Sequence, residues 1–192
     1  MRGQAHTLEA TVAALLMLSS VIFALQVTAV TPLSASTSSQ HIENQQQSSA
    51  QGVLTAAANA DALKPAILYW DNGDTEYHNT GSIRFYTSGP PDNRFGGMLQ
   101  RAFGDNGIAY NVNFIAESRT DPRQYIYSGV PSDNAVSATH TVTLNNDDVL
   151  YDDDEQPTDN RLGDSGTGFW IDMGDGGPEY ETVQVEVVVW RI

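Results

Sequence analysis

Ala10 to Val30 reads ATVAALLMLSSVIFALQVTAV, 21 residues without a charge. As an α-helix it spans about 31 Å at about 1.5 Å per residue, close to the hydrocarbon thickness of a bilayer. Thr11, Ser19, Ser20, Gln26 and Thr28 are its only polar interruptions. Hydroxyls can return a hydrogen bond to the helix backbone and are tolerated in lipid. A secretory signal peptide has an apolar core of only about 7–15 residues, followed by a small-x-small cleavage site. This stretch is longer and lacks a tidy site, although Thr28-Ala29-Val30 and Ala35 keep that reading open. The α-amine and Arg2 precede the span, and nothing basic but histidine follows until Lys64. The positive-inside tendency then puts the N-terminus in the cytoplasm and residues 31–192 outside the cell.

The segment before the span is Arg2-Gly3-Gln4-Ala5-His6-Thr7-Leu8-Glu9. A carboxylate at the mouth of a membrane helix is costly and is usually there for a function. This segment resembles the class III signal peptides of archaeal type IV pilins and pilin-like proteins: a basic residue, Gly, Gln, then Glu shortly before a hydrophobic helix. The resemblance implies that a prepilin peptidase cuts on the cytoplasmic side between Gly3 and Gln4. The apolar helix then stays on the mature protein and packs in the core of a filament, where Glu9 pairs with the new amine of a neighbouring subunit. Opposite charges in a low-dielectric bundle are tolerated when paired, so such a pair specifies register. The family usually places its Glu fifth in the mature chain. A cut after Gly3 makes Glu9 sixth, and a cut after Gln4 restores the spacing but loses the small residue before the bond. An uncleaved signal anchor with an interfacial Glu is the alternative. Over its full length, with the Ser/Gln-rich follow-on and an acidic β-rich remainder, the chain resembles haloarchaeal pilin-like membrane proteins.

Residues 31–65 are nearly uncharged and poor in aromatics. Thr31-Pro32 either starts a new helix or kinks a continuous one. Ala50, Val53, Leu54, Ala57, Ala58 and Ala60 share one face at helical spacing, and Lys64-Pro65 is the expected stop. One long helix from Thr7 to Leu63, half in the membrane and half docked on a sheet, competes with a flexible Ser/Gln linker. The stripe favours the helix, because it needs a surface to bury against.

Residues 66–192 read as β-rich. Val183 to Ile192 carries Val183, Val185, Val187 and Val189 on one face and Val188 and Trp190 on the other, the pattern of an interior strand. Ile108 to Ala116 and Val136 to Leu144 alternate well. Weaker strands are expected at Ala66–Trp70, Ser82–Thr87, Gln124–Tyr127 and Gly168–Asp172. One helix is expected over Arg94–Phe103, with Asp92 as its N-cap and Gly104 to Gly107 as its stop. The expected fold is α+β and pilin-like: a long N-terminal helix packed on an antiparallel sheet of five to seven strands, with one short extra helix. The divisions are a leader at 1–3, a transmembrane and assembly helix at 4–31, an amphipathic helix or stalk at 32–65, and an extracellular acidic domain at 66–192.

The chain holds 9 Lys+Arg against 24 Asp+Glu in 192 residues, and no cysteine. Disulfides, Cys-ligated metal and thiol chemistry are excluded. A net charge of −15 argues against a nucleic-acid partner. The acids lie almost wholly beyond residue 64, giving a surface suited to a salty medium.

Gly163-Asp164-Ser165-Gly166 matches the nucleophile motif of chymotrypsin-like proteases. A triad also needs a base, an orienting acid and an oxyanion hole. Only His78 and His140 are present beyond residue 64, neither in that family's context, and the region is too short for two barrels. His140 on an apolar strand face reads as a packed core histidine. Asp147-Asp148, Asp152-Asp153-Asp154-Glu155 and Asp172/Asp175 could offer oxygen ligands to calcium, but EF-hand spacing is absent. Asp71-Asn72-Gly73-Asp74 suits a turn equally well. Tyr69, Trp70, Tyr77, Phe85, Tyr86, Tyr125 and Tyr127 fit core and sheet packing better than a binding surface. No cofactor or metal site and no enzyme activity are expected. The expected function is a cell-surface pilin-like structural or interaction protein. Its expected partners are membrane lipid, prepilin peptidase and other copies or pilin-like subunits. The alternative is a non-polymerising single-pass protein whose outer β-domain binds a ligand or partner.

Overall fold

The structure, a computed structural model, describes residues 2–104, 106–164, 166–171 and 180–192. The chain divides into two compact units, Met1–Ile42 and Glu43–Ile192. The fold is α+β, with an apolar N-terminal helix, antiparallel sheets and a few short helices.

Helix α1 (Arg2–Asn59) is assigned without a break at Pro32. In the second unit Ala50, Leu54 and Ala57 are fully buried, and Val53 and Ala58 pack half-buried beside them. Spacing of four and three residues sets these side chains on one face, as the sequence pattern requires. The helix does not run to Lys64-Pro65. It stops because Asp61 adopts a left-handed conformation (φ 51°), which Asp tolerates better than most side chains. Asp61 N–H then donates to Ala58 O (3.1 Å) and Ala62 N–H to Ala57 O (2.9 Å), a Schellman motif with buried alanines across it. Arg94 Nη2 donates to Ala60 O at 2.6 Å, placing a cation at the negative helix end. Pro65 falls inside α2 (Leu63–Ile67), in a first turn whose N–H groups lack intrahelical partners anyway. The strand expected at Ala66–Trp70 is therefore helical through Ile67, since a short apolar run does not distinguish the two states.

Strands β1 (Trp70–Asp71) and β2 (Glu76–Tyr77) form a small hairpin. Asp71 Oδ1 accepts from Gly73 N (2.8 Å) and Asp74 N (3.3 Å), so this acidic stretch is a turn. Ser82–Thr87 is not a strand. A 3-10 turn covers Gly81–Ile83, Arg84 is left-handed (φ 66°), and only Tyr86 bridges to Ile126. Helix α3 (Arg94–Leu99) continues as a π turn over Gln100–Gly104. Its N-cap is Asn93, not Asp92: extended at φ −135°, Asn93 accepts from Gly96 N through Oδ1 at 2.8 Å.

Strands β3 (Ile108–Ala116), β4 (Arg123–Tyr127), β5 (Val136–Asn145) and β8 (Tyr180–Arg191) form one antiparallel sheet in the order β4-β3-β8-β5. The interior place expected for the last strand is where β8 lies, and Val183, Val185, Val187 and Val189 are all fully buried. A second hairpin joins β6 (Val149–Tyr151) to β7 (Pro157–Arg161). Among the described residues the main sheet thus has four strands rather than five to seven, with two separate two-stranded ribbons. Gly168–Ile171 forms no strand, and Asp172 lies outside the described residues. Sheet valines, α1 alanines, Ile67 of α2 and Phe95, Leu99 and Phe103 share one core.

Candidate functional site

In the first unit, His6–Gln26 is long and apolar enough to cross a membrane. None of it is buried, and Leu15, Leu16, Met17, Leu18 and Phe23 are exposed around the whole circumference. Ser19 Oγ donates to Leu15 O and Ser20 Oγ to Met17 O, both at 2.8 Å, and Thr11 Oγ1 donates to Thr7 O. Each hydroxyl needs nothing from its surroundings, which suits lipid. Glu9 lies one turn after His6, with Oε2 3.7 Å from His6 Nδ1 and both side chains exposed. His6 was readable as a partner at i, i+3 spacing, but sequence reasoning did not pair it with Glu9. Gly3 and Gln4 belong to α1, and their side chains lie outside the described ones.

In the second unit, Tyr77, Tyr86, Phe114 and Tyr125 form an aromatic cluster, with Tyr125 ring centroids 4.9 Å, 5.3 Å and 4.7 Å from Tyr77, Tyr86 and Phe114. Most of the aromatics expected to serve packing do so: Tyr69, Tyr77 and Tyr125 are fully buried. Arg123, not singled out by its sequence context, stacks its guanidinium 5.0 Å from the Trp70 ring and 5.5 Å from the Tyr77 ring. Burial pushes the Tyr77 hydroxyl far above its ordinary range, and the Arg123 charge opposes that rise. Burial lifts Tyr110 to about 12; burial and then Asp153, Asp92, Glu155 and Asp152 lift Tyr69 to about 12. Tyr86 and Tyr125 are raised by burial as well. These groups bind protons more tightly folded than unfolded, so their stabilisation is full below about pH 10 and declines above it. Tyrosinate absorbance followed from pH 9 to 13 should show these five ionising together with unfolding. Smooth titration near pH 10 while the fold persists would contradict the burial.

A surface pocket of about 390 Å³ opens beside this cluster, lined by Tyr69, His78, Phe85, Tyr86, Pro90 and Asp92 among others. His78 Nε2 lies 2.8 Å from Tyr151 O and so donates there, while Nδ1 is 4.0 Å from Asp71 Oδ2. His140 is half-buried on β5, opposite Val185. Ser165 lies outside the described residues. Asp148 pairs with Lys64 at 2.8 Å and Asp147 with Arg161 at 3.3 Å. Asp152 Oδ1 accepts from Asp154 N (3.1 Å) and Gln156 N (2.7 Å), and Glu155 Oε2 accepts from Arg94 N at 2.9 Å. These acids build the β6–β7 loop and hold the start of α3. Among the described residues no three His, Asp or Glu side chains cluster as a metal site would; Asp175 falls outside them.

The model of a family of unknown function, DUF7288, matches residues 2–189. No curated protein and no solved structure matches the chain.

Proposed function

The chain belongs to DUF7288, a family of unknown function; we propose that it is a pilin-like surface protein held in the membrane by its N-terminal helix. The carrying observation is the 21-residue apolar helix His6–Gln26, none of which the protein buries for itself. Exposed apolar surface of this extent needs lipid or other helices around it. Glu9 is the one acid on that segment, and at its entrance it serves as the register-setting charge against a neighbour's amine. A prepilin peptidase supplies that amine by cutting before Gln4. The N-terminus faces the cytoplasm and the acidic second unit faces outward. No catalytic step is assigned, and self or related subunits are the partners.

N-terminal mass spectrometry on protein from native membranes should find Gln4 first. Sheared filaments should contain the chain and vanish in Glu9→Ala. Filaments unaffected by Glu9→Ala would remove Glu9 from the mechanism, and an intact Met1 with no chain in sheared filaments would remove both processing and assembly. The non-polymerising anchor is then the surviving reading, favoured by the pocket of about 390 Å³ between Tyr69 and Asp92, which offers aromatic edges and hydroxyls to a ligand.

A further inference from the structure

The two edges of the four-stranded sheet differ. The β4 edge is five residues long and partly covered: Tyr86 N–H donates to Tyr125 O (2.9 Å), and Tyr86 O accepts from Tyr127 N (2.8 Å). The β5 edge runs for ten residues, VSATHTVTLN, without Pro, Lys, Arg, Asp or Glu. Proteins usually protect a long edge with such residues, or with a bulge.

Which backbone groups of β5 face outward follows from its two ends. Ser137 O accepts from Gln47 Nε2 at 3.4 Å. Asn145 N–H donates to Asp148 Oδ2 at 2.8 Å, and Asn145 O accepts from Asp148 N at 3.0 Å. In an antiparallel ladder a residue's N–H and C=O point the same way and alternate along the strand. Ser137 and Asn145 therefore point away from β8, and so do Thr139, Thr141 and Thr143 between them. No described group bonds the outward N–H or C=O of those three threonines. Their side chains are exposed.

We propose that β5 pairs antiparallel with β5 of a second copy about a twofold axis at Thr141, joining two sheets into one. Thr141 then faces its own counterpart and Thr139 faces Thr143, so all six free groups find partners. The next pair outward is Ser137 with Asn145, whose groups are already occupied on one or both sides. This register closes on itself, which is what a second copy offers and an unrelated peptide need not. The strip is uncharged on a chain of net −15, so the two copies meet where their repulsion is weakest. Facing threonines are a favourable cross-strand pair.

The test uses the full chain in detergent micelles. It has no cysteine, so Thr141→Cys places one thiol at the axis. Facing residues of this kind have Cα atoms about 5.5 Å apart, within disulfide reach. Mild oxidation should cross-link Thr141→Cys far faster than Ser82→Cys, an exposed position elsewhere. Thr141→Lys sets two ammonium groups opposite each other and should weaken association about fivefold. Thr139→Lys with Thr143→Glu sets opposite charges across the same axis and should keep it. The cross-link should persist in Glu9→Ala, because it does not rest on the helix. Equal rates at the two cysteines, indifference to Thr141→Lys, or loss of the cross-link in Glu9→Ala would overturn the pairing.

Discussion

Tyr125→Ala is expected to destabilise the second unit by about 3–5 kcal/mol, the usual cost of truncating a large buried aromatic. Tyr125 is fully buried at the centre of the aromatic cluster, within 4.7–5.3 Å of Phe114, Tyr77 and Tyr86. Its hydroxyl also accepts from Asn93 Nδ2 at 2.8 Å, and Asn93 caps α3. The ring therefore fastens the helix to the sheet as well as filling the core. Tyr125→Phe keeps the packing and strands only the Asn93 donor, for about 1–3 kcal/mol. A domain of this size has about 5–15 kcal/mol in all, so the Ala variant is left marginal. Urea melts of both variants at one salt concentration measure the difference. A loss below about 1 kcal/mol for Tyr125→Ala would mean that the cluster is not the core.

The parts of the fold that were legible in the sequence are those whose signal is local. β3 matched its reading to the residue and β5 within one: β5 alternates over all ten residues, and β3 keeps Ile108, Tyr110, Val112, Phe114 and Ala116 apolar at every second position. The central place of β8 was legible because valine occupies both faces. The alanine stripe of α1 named its own buried face. The two hairpins were not legible. β1 and β2 have two residues each, too short for any periodicity, and they exist because Trp70 and Tyr77 bury against each other at 5.1 Å. Asp152–Glu155 offered possible oxygen ligands in sequence, and its role as the β6–β7 loop depends on a pairing that composition does not encode. The end of α1 was misplaced because Lys64-Pro65 is the stronger textual stop, whereas a left-handed Asp61 acts first. The candidate site divides in the same way. An apolar span is marked by its own length and composition, so the sequence alone exposes it. The open edge of β5 depends on strand order, which is a long-range property.

Leu15→Arg with Leu18→Arg is expected to remove the protein from the membrane fraction. Both leucines are exposed near the middle of His6–Gln26 and one turn apart. An Arg at the centre of a spanning helix costs about 2.5–3.5 kcal/mol on insertion scales, and each lost Leu adds about 0.3–0.6 kcal/mol. Two such changes make insertion unfavourable by about 6–8 kcal/mol relative to the parent span. The second unit holds all of the chain's 24 acids except Glu9, and their mutual repulsion favours the aqueous phase. Ser19→Ala with Ser20→Ala removes hydroxyls that already bond to Leu15 O and Met17 O, so insertion should hardly change. Density-gradient flotation of vesicles separates the two pairs directly. If the double Arg variant floats with the vesicles as the parent does, attachment does not run through this helix. The assembly role given to Glu9 then loses its setting, because a register-setting carboxylate matters only where the helix around it is surrounded by lipid or by its neighbours.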